Sequence, residues 1–145
     1  MKSFKEFLEE EKKKSYQIYC DMDGVLVDFI DGIQQELNIS REPTQKEIDT
    51  FLSTLHGSSK EFWSELDWMG DGKKLWDTLK DLNTEILTAC PNNCKLQPSV
   101  IRGKKMWCKK YLKISNGVNI TTRKGKLKFV GEKTILIDDY IKNVN

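Results

Sequence analysis

Acids gather where two apolar stretches end. Residues 19–29 read YCDMDGVLVDF and place Asp21, Asp23 and Asp28 in an otherwise apolar run. Near the other end of the chain, TILIDD finishes on Asp138 and Asp139. Carboxylates brought into a small space repel one another, and keeping them ionised is costly unless a cation sits among them. Oxygen donors of this kind suit Mg²⁺, which binds through one or two carboxylates together with a substrate phosphate. With Asp21 and Asp23 in different roles, one can attack while the other handles protons. Gly24 allows a tight turn where a side chain would collide with the site. Asp28 reads as a helix N-cap.

The protein's own cation is legible in residues 99–113, a basic amphipathic helix. At ~100° per residue, Val100, Ile101, Trp107, Cys108, Tyr111 and Leu112 form one apolar stripe. Lys104 falls in its middle and Lys105 at its edge. A charge inside a buried stripe needs a partner, and an acidic cluster holding a phosphate supplies one.

These residues need elements to carry them. QIYC before Asp21, TEILTAC (84–90), GVNIT (117–121) and KTILIDD (133–139) read as strands. From 29 to 82 the pattern turns helical, beginning with Phe29, Ile30, Ile33 and Leu37 on one face. Thr44 and Glu47 form a capping box for a helix ending at Gly57, and SSKEFWSELDW and DGKKLWDTLKDL read as two more helices. Strands alternating with helices predict an α/β fold with a parallel sheet and helices on both faces. In open sheets of this kind, ligands bind beyond the carboxyl ends of the strands. Asp21, Asp23, Thr88, Asp138 and Asp139 all fall there.

The 145 residues are enough for one domain with a real core. No apolar run approaches the roughly 18–20 residues of a membrane helix, so no membrane partner is expected. MKSFKEFLEEEKKKS lacks the apolar centre of a secretory signal, which predicts a cytoplasmic location with reduced thiols. Cys90 and Cys94 lie four apart with no second close pair and no His cluster, which argues against zinc. His56, the sole histidine, is assigned no catalytic role. Net charge is +2, yet residues 1–94 carry 11 Lys/Arg against 19 Asp/Glu while residues 95–133 carry 12 Lys/Arg and one acid. A long basic segment facing acids suits an anionic substrate.

Four motifs in order make a resemblance plain. DMDGVLVD resembles motif I of the haloacid dehalogenase superfamily of phosphotransferases. ILTA resembles motif II, the helix with GKKMW resembles motif III, and ILIDD resembles motif IV. Within the superfamily, DMDGVLVDF and the K-x-x-W followed by LIDD are most similar to the 5′(3′)-deoxyribonucleotidase group. The resemblance implies a Rossmann-like core (15–28 and 83–145), a small helical cap inserted after the first strand (29–82) and a charged N-terminal arm (1–14). It implies a Mg²⁺-dependent phosphatase acting on a phosphomonoester, a deoxynucleoside monophosphate above all. Asp21 is then the nucleophile, Asp23 the acid and base, and Thr88 and Lys104 the partners of the phosphoryl group. Metal would be held by the Asp21 carboxylate, the Asp23 carbonyl and Asp139, with Asp138 in support. Phe29, with Trp63 and Trp68 from the cap, would stack on a base. Two departures stand out: DWMGDGKKLW lacks the family's proline, and Ala89 replaces a serine after Thr88, removing one phosphate hydroxyl.

Two further readings remain. The basic segment, TTRKGKLK in particular, suits a polynucleotide 3′-phosphatase bound to nucleic acid. A non-catalytic nucleotide-binding module of the same fold is the other, against which the complete motif set argues. The arm MKSFKEFLEE resembles N-terminal segments of some proteins from large tailed bacteriophages, which implies a viral protein working in an infected cell.

Overall fold

β-prone residues bounded by turns become strands here, and their register decides where the acids emerge. The computed structural model describes residues 1–13, 16–55, 61–90 and 98–139. Cys94, His56 and Gly57 lie outside them, and so do the Cys90–Cys94 pair, the histidine and the expected helix end.

The strands are β1 (Gln17–Cys20), β2 (Thr84–Ala89), β3 (Val118–Thr121) and β4 (Thr134–Ile137). They form one all-parallel sheet in the order β3-β2-β1-β4. With the helices this is an α/β architecture consistent with a Rossmann-like fold. Cys20 lies opposite both Ile86 and Ile137. Asp21 and Asp138 therefore leave the sheet side by side at one end, while β2 runs on beside β3 and carries Thr88, paired with Ile120, to the same end. Cys20, Ile86 and Leu87 are fully buried in the centre of the sheet. Burial also pushes the Cys20 and Cys108 thiols up to about 12, which keeps them protonated and inert.

The helices are α1 (Phe4–Lys13), α2 (Phe29–Leu37), α3 (Gln45–Thr54), α4 (Gly72–Leu79) and α5 (Pro98–Trp107). Asp28 caps α2 by accepting from the Asp31 amide at 3.1 Å. The capping box of α3 is complete: Glu47 N donates to Thr44 Oγ1 at 3.1 Å and Thr44 N to Glu47 Oε1 at 2.9 Å. On α1, Phe4 and Phe7 stay exposed. Among the described residues no helix is long and apolar enough to cross a membrane.

Three local expectations need correcting. SSKEFWSELDW was expected to be helical, but its described part contains only a 3₁₀ turn, Trp63–Glu65. The backbone beyond it is claimed by the loop after β1: Asp28 N donates to Asp67 O and Met69 N to Leu26 O. The helix expected over 99–113 is α for its first part only, and Cys108–Leu112 form a π turn. Ile30, placed on the apolar face of α2, is exposed, whereas Ile33 is buried.

Candidate active site

The loop after β1 is built around one carbonyl. Val25, Leu26 and Val27 all donate to Met22 O, which folds residues 22–27 into a tight knot. Gly24 sits at φ +80° in that knot, a conformation that side chains resist. A Cβ there would collide with the Asp139 carboxylate. Gly24 therefore lets Asp139 lie against the knot and reach the other acids.

Asp21, Asp138 and Asp139 each offer a carboxylate oxygen, and these oxygens lie within 4.8 Å of one another. Asp138 and Asp139 thus both bring an oxygen to the same cluster. Both follow the end of β4, so strand alternation no longer governs them. Asp23 is not in the trio. Its Oδ2 takes a salt bridge from Lys104 Nζ at 2.9 Å instead. The same ammonium donates to Thr88 Oγ1 at 2.9 Å. Lys104 is only 1% exposed, as its place in the apolar stripe predicted.

A second lysine is equally buried, and the sequence reading missed it. Lys126 is 3% exposed. Its Nζ lies 3.2 Å from Asp21 Oδ2 and 3.0 Å from Asp138 Oδ2. It is carried by a 3₁₀ turn, Gly125–Phe129, anchored by the Lys126 amide donating to Thr122 O at 3.2 Å. One signal was available: this turn follows the carboxyl end of β3, where ligand sites of parallel sheets lie. The reading instead left TTRKGKLK on a basic surface.

Charge at the site does not balance. Among the described residues, Asp21, Asp23, Asp138 and Asp139 are met by the ammonium groups of Lys104 and Lys126. Fully ionised, the group keeps two surplus negative charges. The protein answers with protons: the Asp21 carboxyl is raised from 3.8 to about 7, first by burial. Lys126 opposes that rise, while Asp23 and Asp138 add to it. Asp139 is raised as well, by burial and then by its hydrogen bond with Asp138. A divalent cation with a taste for oxygen would supply the missing charge at the Asp21, Asp138 and Asp139 oxygens. Gly24→Ala is expected to displace Asp139 and weaken Mg²⁺ binding by at least about tenfold, measured by calorimetric titration at pH 7.5.

The three aromatic candidates do not form one group. Phe29 stacks flat on Trp63, with ring centroids 5.5 Å apart and planes 7° apart. Trp63 is 4% exposed, so it has no open face for a base. Trp68 packs instead against Trp107 and Tyr111, at 5.0 and 5.9 Å. Half-buried Phe29 directly follows the loop that carries the acids, and Trp68 is bridged to Val27 of that loop. A cleft of about 560 Å³ lies elsewhere, lined by Arg102, Lys105, Met106, Lys109, Ile114 and Val118 among others. It shares no residue with the acids.

No family model matches the chain, and no curated protein matches it either.

Proposed function

We propose that the chain is a Mg²⁺-dependent phosphomonoester hydrolase of the haloacid dehalogenase superfamily, acting on deoxynucleoside monophosphates. One observation carries the reading. Asp21 and Asp23, two residues apart after β1, are each paired with a different buried lysine, and a second strand, β2, adds Thr88 beside one of them. That separates an acid that attacks from an acid that moves protons. The helical stretch between β1 and β2 is then the cap, and the deoxynucleotide preference rests on DMDGVLVDF and its likeness to the nucleotidase group.

Asp21 Oδ attacks phosphorus in line, the ester P–O bond breaks, and an aspartyl phosphate forms on Asp21. Asp23 gives its proton to the departing alcohol oxygen, then takes one from the water that cleaves the acyl phosphate. Thr88 Oγ1 and Lys104 Nζ hold the phosphoryl oxygens while charge moves across them. Lys126 holds Asp21 and Asp138 in place and favours the ionised form of Asp21. Bound at Asp21, Asp138 and Asp139, Mg²⁺ would screen the repulsion between the attacking carboxylate and the phosphate.

The cationic face of α5, with Arg102, Lys105 and Lys109 around the cleft, favours a second substrate, a 3′-phosphorylated polynucleotide. A phosphate-release panel separates the two. Deoxynucleoside 5′- and 3′-monophosphates, ribonucleotides, sugar phosphates and a 3′-phosphorylated oligonucleotide are compared in Mg²⁺ and in EDTA. Release from one deoxynucleotide class, lost in EDTA, is the expected result. Release from the oligonucleotide alone, falling steeply with salt, moves the function to nucleic-acid ends. No release from any substrate leaves a binding module and refutes the enzymatic reading.

A further inference from the structure

We infer that Trp63 is a positioning residue for Lys104, and that Gly103 is the notch that lets it act. The Lys104 ammonium has three donors. Two oxygens take it, Asp23 Oδ2 and Thr88 Oγ1, each at 2.9 Å. A third neighbour is the Trp63 ring, whose centroid lies 4.8 Å from Nζ. An indole face attracts a cation, and more strongly where water is excluded. Here the lysine is 1% exposed and the tryptophan 4%. The ammonium is thus held by two oxygens and one ring, and the ring comes from the 3₁₀ turn between β1 and β2.

Two further contacts fix that turn to α5. A Cβ on Gly103 would lie 2.7 Å from Trp63 Cβ and 3.5 Å from Ser64 N, so only glycine permits this approach. One helical turn on, Trp107 Nε1 donates to Leu66 O at 2.8 Å. The two contacts flank Lys104 on its helix. Trp63 is itself held by Phe29, stacked at 5.5 Å, and by the edge of Phe62 at 5.1 Å.

Among the described residues, Trp63 Nε1 is buried and has no hydrogen-bond partner. An orphaned donor lowers stability, so the indole is not kept for its N–H. What remains is its face. That gives Trp63 a role other than base stacking, and it makes a sharp forecast: a phenyl ring suffices and an aliphatic side chain does not.

The kinetic part of the test rests on the phosphatase reading; the spectroscopic part does not. The first readout is the ¹H–¹⁵Nζ signal of Lys104, assigned by its absence in Lys104→Met. In the wild-type chain it is expected to be visible and slow to exchange. Trp63→Phe keeps it and Trp63→Leu loses it, with circular dichroism confirming that both fold. For turnover, Trp63→Leu lowers kcat by about tenfold or more with KM moving less, and Trp63→Phe stays close to wild type. Gly103→Ala, which keeps every aromatic residue but pushes Trp63 away from α5, is expected to match Trp63→Leu and serves if that variant does not fold. A Lys104 signal and kcat unchanged in a folded Trp63→Leu or Gly103→Ala chain would overturn the inference. A signal lost as expected, in a protein that releases phosphate from nothing, upholds the positioning role and overturns the phosphatase reading alone.

Discussion

Asp21→Asn protein is expected to release no phosphate and yet to melt at a higher temperature than the parent at pH 8 in EDTA. The loss of activity follows from removing the attacking oxygen, and about 10⁴-fold or more is the scale for a missing nucleophile. The gain in stability follows from burial. The Asp21 carboxyl is raised to about 7 in the folded chain, against an ordinary unfolded value of about 4. Below pH 4 both states hold the proton and nothing is lost. Between about pH 4 and pH 7 the unfolded chain releases it while the folded chain retains it, so stability falls as pH rises. Above pH 7 the full penalty stands, on the order of a few kcal/mol for a group so deeply buried. Asparagine carries no such penalty. Thermal melts of both proteins at pH 5 and pH 8 should therefore diverge clearly more at pH 8 than at pH 5. Mg²⁺ added at pH 8 should raise the parent and leave Asp21→Asn nearly unmoved. A variant no more stable than the parent at pH 8 would show that Asp21 is ionised at little cost in the fold.

Lys126→Met should do the reverse. The lysine lies between Asp21 and Asp138 with its side chain 4% exposed. Removing one partner of a buried ionic group leaves charge without compensation and costs about 3–5 kcal/mol. It also removes the largest influence holding the Asp21 carboxyl down, so Asp21 takes up its proton at higher pH still. The loss of stability should thus be greatest at pH 8 and smaller at pH 5. Turnover should drop by about 10²–10³-fold, because the nucleophile is now protonated and loosely held. Urea unfolding at both pH values checks the first statement, and kcat against pH the second. Combining the change with Asp21→Asn should give clearly less than the sum of the two effects, since the pair acts as a unit.

The lysines also show what could be read in advance. Lys104 was legible because helical periodicity is a strong local signal, and a charge inside an apolar stripe violates it. Lys126 was not, because a short 3₁₀ turn has no period to violate. Its burial arises from strand order, which no local pattern encodes. Asp21, Asp23 and Thr88 were legible for a different reason: strand ends are marked by abrupt polarity. The strands themselves came out within a residue or two for the same reason. The 3₁₀ turn at Trp63 was misread as helix because its aromatic and acidic residues suit either form. There the hydrogen bonds of residues 26–28 decided the outcome, and propensity did not. The aromatics failed as a group for a related reason. Composition counts tryptophans but does not say which of them face one another, and Phe29 with Trp63 makes a closed pair whereas Trp68 joins Trp107.

The register of β1 bears on how the molecule is made. Ile18 pairs with Thr84 on one side and with Ile135 on the other. Neither neighbour is local, and the second is close to the end of the chain. Loop closure over such separations is slow, so a sheet of this topology folds late relative to its helices. During synthesis β1 emerges early and waits, one edge uncovered, until β4 arrives. Asp21 and Asp138 meet only when that strand docks. A chain in which β4 has not yet docked thus carries Asp21 without Asp138 and Asp139 beside it, so the acidic cluster exists only once the sheet is assembled.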